Sequence, residues 1–194
     1  MVGNIPNYSA IDVLRCFLRL NEPIGRQELS SNLELGEGTI RTILKDLKSK
    51  KFLDSTRNGH FLSSKGLGEL GAIYGSISKP RQINVQGLYP KYRKVGIRLI
   101  KQQGIWDFYR LRDIAVKNGA EGAVILKFDG KLYTPKYGKS QDYKSIEKEF
   151  DFGDGDAFII AFSDKLKSAE IGALSIAIEI VPELKRFIKE AICR

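Results

Sequence analysis

Residues 26–70 read RQELSSNLELGEGTIRTILKDLKSKKFLDSTRNGHFLSSKGLGEL, and this stretch decides the fold of the N-terminal part of the chain. Apolar residues recur in it at the i, i+3, i+4, i+7 spacing of an amphipathic helix, namely at Ile40, Ile43, Leu44 and Leu47. Asn58-Gly59 then separates two strand-length runs and predicts a hairpin with a type I′ turn, in which both central residues have positive φ. The stretch therefore predicts a helix followed directly by a hairpin.

Two shorter helices are predicted before this one. Ser9 followed by Asp12 has the spacing of a capping box and predicts the start of a first helix that ends before Pro23. Leu29 and Leu33 lie four residues apart and would share one face of a short second helix. Cys16 falls among the apolar residues of the first helix, where we expect a small core residue.

The segment SSKGLGELGAIY, after the hairpin, predicts a fourth helix with Leu67, Leu70 and Tyr74 facing inward. Three glycines weaken this helix by roughly 1 kcal/mol each relative to alanine. Its stability must therefore come from packing against the other elements.

The third helix, about residues 37–50, presents polar and small residues opposite its apolar stripe, as a helix inserted in the DNA major groove requires. The hairpin, residues 52–63, would form a wing beside it. The predicted DNA-binding residues are Thr39, Arg41, Thr42, Lys45, Lys48 and Ser49 on the helix and Arg57, Asn58 and His60 on the wing. A lone histidine at such a position is more often an exposed turn residue that binds nothing, so this alternative stays open for His60.

The net charge of +9 is unevenly distributed. Residues 1–40 contain three basic and five acidic residues, whereas residues 41–65 contain seven basic and two acidic ones. Residues 79–106 add seven basic residues and no acidic residue. The first basic concentration coincides with the predicted recognition helix and wing, where it favours contact with phosphates. The second would either extend the DNA footprint or form a solvated face.

The run from residue 26 to residue 70 resembles the winged helix-turn-helix of many prokaryotic transcription regulators. The likeness rests on the TIRTILKDL sequence of the recognition helix and on Leu62-Ser63-Ser64-Lys65-Gly66 after the wing. The resemblance implies binding to double-stranded DNA. The sequence departs from the pattern at Gly25, where such domains place Ser or Thr as a helix cap, and glycine is only slightly worse there.

Lys79-Pro80-Arg81 interrupts the helical pattern and predicts a boundary between domain 1–78 and domain 79–194. The second domain reads as a mixture of strands and helices without a strict βαβ repeat, so the predicted fold class is α+β, with the winged helix-turn-helix first. The expected strands are 82–88, 94–101, 122–128, 131–134 and 157–162, and the expected helices are 106–118, 169–181 and 182–192.

Two segments of this second domain, YRLRDIAVKNGAEGAVIL and SDKLKSAEIGALSIAIEI, resemble a domain of unknown function that follows a winged helix in archaeal transcriptional regulators. Their small residues, at 119–123 and 169–173, allow close packing of backbones against each other or around a ligand. We predict an effector pocket formed by Arg112, Asp113 and Glu170. The alternatives are a plain ion pair for Arg112 and a helix-dipole role for Glu170.

The sequence lacks the nucleotide-binding, metalloprotease, hydrolase and CxxC motifs, so we expect neither an enzyme nor a bound cofactor or metal. The acidic run at residues 151–156 has glycine at two calcium-ligand positions and reads as a turn. No signal sequence or membrane span is evident, and the two cysteines are far apart, which favours a cytoplasmic protein.

The predicted function is a DNA-binding transcriptional regulator that acts as a homodimer, because two-fold operators require two recognition helices. Its second domain would sense a small effector or dimerise. Two alternatives stay open at this point: a winged-helix module that binds proteins without binding specific DNA, and an enzyme with a fused winged helix.

Overall fold

The computed structural model describes residues 8–85, 87–102, 104, 106–135 and 142–192, which fall into two compact units. The first unit contains the chain up to Ile73 together with the stretch from Lys185 onward, and the second is Tyr74–Leu184. In chain order the elements are α1 (Ala10–Phe17), α2 (Arg26–Leu33), α3 (Glu37–Ser49), β1 (Leu53–Thr56), β2 (Gly59–Leu62), α4 (Ser64–Ser76), β3 (Arg81–Ile83), β4 (Arg93–Leu99), α5 (Phe108–Lys117), β5 (Gly122–Phe128), β6 (Leu132–Tyr133), α6 (Lys144–Glu149), β7 (Ala157–Ser163), α7 (Leu166–Ile180) and α8 (Pro182–Ile192).

The helices of the first unit confirm the sequence pattern. Ser9 caps α1 through a capping box, in which its hydroxyl accepts from the Asp12 amide at 3.2 Å and its own amide donates to the Asp12 carboxylate at 3.0 Å. The predicted stripe of α3 is buried at all four positions, and Cys16 is fully buried in α1. Burial raises the pKa of the Cys16 thiol to about 12, as expected for a core residue rather than a reactive one.

The wing is a hairpin of β1 and β2, and Ile24 adds a third short strand through two backbone hydrogen bonds with His60. Arg57 and Asn58 occupy the turn, and neither has a positive φ, so the predicted type I′ turn is wrong. Gly59, the residue after the turn, has a φ of +129° instead, and a Cβ there would lie 2.6 Å from the carbonyl oxygen of Ile24. Glycine is required by this close approach.

Helix α4 differs from its predicted orientation. Leu70 and Ile73 are buried, but Leu67 is 55% exposed rather than inward-facing. Gly66 occupies the inward position in its place, because a Cβ at Gly66 would collide with the carbonyl oxygen of Phe52. This glycine therefore permits close packing of α4 against the start of the wing, besides lowering helix propensity.

The last helix, α8, completes the core of the first unit. Phe187 is fully buried, with its ring centroid 4.4 Å from that of Phe17 and 5.5 Å from that of Phe52. Two ion pairs also connect α4 with α8, one between Arg186 and Glu69 at 3.0 Å and one between Lys65 and Glu190 at 2.6 Å. Residues from Lys185 onward thus group with the first unit, which differs from the expected continuous domains 1–78 and 79–194.

The second unit is built on an antiparallel five-stranded sheet in the order β3-β4-β7-β5-β6. The α+β fold class is confirmed. The first predicted strand, 82–88, is represented only by the short β3, and Gln86 of that stretch lies outside the described residues. Helix α6 was not predicted, because its six residues are too few to reveal a helical period.

Helices α5 and α7 pack on one face of this sheet, through the small residues that the sequence singled out. A Cβ at Gly172 of α7 would lie 2.6 Å from the Cβ of Ala120 and 3.5 Å from that of Ala161. Close packing of these segments is therefore confirmed. The opposite face carries a second core, in which Ile146 of α6 meets Phe158 and Ile160.

We expect Phe187→Ala to lower the free energy of unfolding of the first unit by about 3–5 kcal/mol, because it removes a fully buried ring and leaves a cavity. Urea unfolding followed by far-UV circular dichroism measures the loss, while the fluorescence of Trp106 reports the second unit separately. Ile192→Ala, on the exposed end of the same helix, is the control and should cost roughly 1 kcal/mol or less. An unchanged dichroism midpoint in Phe187→Ala would show that α8 does not contribute to this core.

Candidate nucleic-acid interface

The outer face of α3 is the first part of the predicted interface. Arg41, Thr42, Lys45, Lys48 and Ser49 are all exposed, and Thr39 is partly exposed. The buried stripe on the opposite side anchors the helix in the core, so this outer face has a fixed orientation. Such anchoring is what a helix needs in order to present side chains to a groove.

The hydroxyl groups of Thr42 and Ser49 bond to their own helix. The Thr42 Oγ1 donates to the carbonyl oxygen of Gly38 at 3.1 Å, and the Ser49 Oγ donates to that of Asp46 at 2.7 Å. Each hydroxyl oxygen can still accept a hydrogen bond. In the part of the chain that the structure describes, Arg41 and Lys45 form no ion pair, so both cations are available to an anionic partner.

A chain of hydrogen bonds connects the end of α3 to the wing. The Lys48 Nζ donates to the Ser55 Oγ at 3.4 Å, and this hydroxyl lies 2.9 Å from the His60 Nδ1. Burial lowers the pKa of His60 below 6.5, and the positive charges of Lys48 and Arg26 lower it further. At neutral pH His60 is therefore an uncharged imidazole that helps to position the wing relative to the helix.

The tip of the wing is open to solvent. Arg57 and Asn58 are both exposed, and the Asn58 amide donates to the Thr56 Oγ1 at 3.3 Å. The guanidinium of Arg57 therefore lies at the end of a short, hydrogen-bonded hairpin. This is the position from which a wing residue reaches a phosphate or the minor groove.

Two further side-chain contacts shape this surface. Tyr8 donates from its phenol to Asp46 at 2.8 Å, which occupies one acidic group at the border of the α3 face. Arg26 lies 3.7 Å from Glu37, at the start of α3. No sequence motif marks these contacts, because they join residues brought together only by folding.

The predicted effector residues do not converge in one site. Arg112 and Asp113 form an exposed pair on α5, at 3.0 Å, and Arg112 lines a cavity. Neither Asp113 nor Glu170 is among the described residues that line this cavity, and Glu170 is buried in α7. The prediction of one pocket formed by these three residues is therefore wrong: Arg112 and Asp113 form a surface pair, and Glu170 is a separate buried carboxylate.

The basic stretch from residue 79 to residue 106 is divided between the interior and the surface. Lys94 is only 4% exposed, and it donates to the Tyr92 carbonyl oxygen at 2.9 Å. Arg98 donates to Asp156 at 2.6 Å, and Asp156 also accepts from the Lys101 amide. Asp156, at the end of the acidic run, thus binds residues at the end of β4 and just after it. Because Lys94 and Arg98 have partners within the unit, only the other basic side chains of this stretch can contribute to a charged surface.

The fold defines the class to which the chain belongs: a winged helix followed by an α+β unit. Residues 10–68 match the model of the PH0730-like N-terminal domain, and residues 92–180 match that of a domain of unknown function, DUF4443. A hypothetical protein, PH0730 from Pyrococcus horikoshii OT3, has a solved structure that is 31% identical, with a TM-score of 0.82 over 96% of this chain and all of that one. The chain belongs to the PH0730-like family.

No curated protein matches the sequence. None of the helices in the described ranges is both long and apolar enough to span a membrane. Cys193, at the end of the chain, lies outside the described residues.

His60 is the single histidine of the chain, so its ring signals in a proton NMR spectrum are unambiguous. We expect a pKa below 6.5 and expect Lys48→Met to raise it, because that change removes a positive charge near the imidazole. Lys45→Met, on the same helix, is the control and should leave the titration unchanged. A His60 pKa that does not respond to Lys48→Met would contradict the connection between α3 and the wing.

Proposed function

We propose that this protein is a DNA-binding transcriptional regulator whose helix α3 enters the major groove while the wing contacts the adjacent backbone. The observation that carries the proposal is the exposed face of α3, where Arg41 and Lys45 project from a helix anchored by its buried stripe. Arg is suited to paired hydrogen bonds with guanine, and Lys to phosphates or guanine. Gly38 allows close approach of the helix to the DNA.

The charge distribution supports the same proposal. The segment from residue 41 to residue 65 carries seven basic residues against two acidic ones, and one of the two, Asp46, already accepts a hydrogen bond from Tyr8. Lys48 and Arg57 border the groove-facing residues from the helix end and the wing tip. We assign these two to phosphates, which position a protein on the duplex without reading sequence.

A two-fold operator is bound by two DNA-binding units. We propose a homodimer in the cytoplasm, since two recognition helices about 34 Å apart match one turn of a two-fold operator. The second unit would provide the dimer contact or the response to an effector. Its matched domain has no described function, so this part of the proposal rests on the architecture of the chain.

Fluorescence anisotropy with labelled duplexes enriched from a random-sequence library tests DNA binding. We expect Arg41→Ala combined with Lys45→Ala to weaken binding by about tenfold or more, because a base contact contributes about 1–3 kcal/mol. The slope of log K against log salt should fall by about 0.9 for each phosphate contact removed. Lys117→Ala combined with Lys131→Ala, which removes two exposed cations of the second unit, is the matched control.

Two results would refute the proposal. One is the absence of binding to any duplex at low salt, which would leave the protein-interaction module as the better interpretation. The other is equal loss of affinity in both double variants, since that would reflect only total charge and not the face of α3.

A further inference from the structure

The second unit contains a cavity of about 370 Å³ beside the outer edge of β5. In the described part of the sheet, β6 pairs only with Lys127 and Phe128 of this strand, so the stretch before them borders the cavity. Val124 and both its neighbours are in the lining. The volume falls within the range of about 300–1,000 Å³ typical of sites for small molecules.

Among the described residues, four aromatic side chains line this cavity: Tyr89, Trp106, Phe108 and Tyr109. Tyr89 and Tyr109 are large side chains left about half exposed, at 48% and 52%. Such rings offer flat faces on which another ring can stack. They come from two separate segments of the chain, one at Tyr89 and one at residues 106–109, so folding brings them together around the cavity.

The rings are held in place before any ligand arrives. Tyr89 stacks on Phe162, with 4.2 Å between ring centroids, and Phe162 in turn lies over Gly122, where a Cβ would come within 2.6 Å of the ring. The Lys127 ammonium lies 5.3 Å from the centroid of the Trp106 ring. Such preorganisation reduces the entropy lost when a ligand binds.

The lining carries one cation among the described residues, Arg112. Its guanidinium lies 5.9 Å from the Tyr109 ring centroid, and its pairing with Asp113 is between two half-exposed side chains, an arrangement that contributes little in water. The lining residue Asp107 is engaged at its Oδ1, which accepts from the Tyr109 and Arg110 amides. Arg112 is therefore free to exchange Asp113 for the carboxylate of a ligand.

We infer that this cavity binds a small aromatic carboxylate, whose planar ring stacks on the tyrosine and tryptophan side chains and whose carboxylate pairs with Arg112. Arg suits this role because its planar fork forms two parallel hydrogen bonds with a carboxylate. Such a compound would be the effector of the regulator, a role that rests on the proposed function. The binding itself does not depend on DNA.

Trp106 is the only tryptophan of the chain and lines the cavity, so its fluorescence reports occupancy directly. The full chain is titrated with benzoate and phenylacetate, and with benzamide and phenylacetamide as uncharged counterparts of the same shape. Calorimetry provides an independent Kd. We expect the carboxylates to change the fluorescence and to bind at least tenfold more tightly than the amides.

Arg112→Gln should weaken carboxylate binding at least tenfold without affecting the amides, whereas Arg110→Gln, on the same helix but outside the cavity lining, should bind as the unchanged protein does. Equal Kd values for acids and amides, unchanged binding in Arg112→Gln, or no binding by any of the four compounds at millimolar concentration would each overturn the inference. Because the titration contains no DNA, a failure of DNA binding would refute the proposed function and leave this result intact.

Discussion

The contact of Phe187 with Phe17 and Phe52 is the interaction on which the first unit depends. Phe52 lies between the end of α3 and the start of β1, and its amide donates to the Leu47 carbonyl oxygen at 3.0 Å. Holding the Phe52 ring therefore restrains α3 relative to the wing. Lys65 also contacts both parts, because its ammonium lies 4.3 Å from the Phe52 ring centroid and pairs with Glu190 of α8. The surface that we propose for DNA contact thus depends on a helix from the far end of the chain.

Local features of the fold could be predicted from sequence because their signals are local. The capping box at Ser9 and the stripe of α3 depend on residues three or four positions apart, and the strands of the second unit depend on short apolar runs. The return of α8 to the first unit could not be predicted, since no period or motif connects Phe187 with Phe17. The packing role of Gly66 could not be predicted for a related reason. Its close approach to the carbonyl oxygen of Phe52 is a tertiary contact, and a helix-propensity scale does not include such contacts.

The same contrast between local signals and tertiary contacts applies to the candidate sites. A helical wheel suffices to identify the exposed face of α3, because burial of one stripe determines the opposite face. The connection from Lys48 through Ser55 to His60 requires the wing to fold back on the helix, and the sequence revealed only the individual residues. In the second unit, Arg112 lines the cavity, and its role there stays a prediction. The aromatic side chains come from two separate segments that no local pattern connects, and Glu170 lies buried in α7.

The most direct measurement of the proposed DNA contact is a titration of the ¹⁵N-labelled chain with an enriched duplex, followed by amide chemical shifts. If α3 enters the groove, we expect the largest changes along the exposed face of α3 and at the wing tip around Arg57, with much smaller changes in the second unit. Changes confined to the basic stretch after residue 79, with α3 unaffected, would contradict the proposed DNA contact.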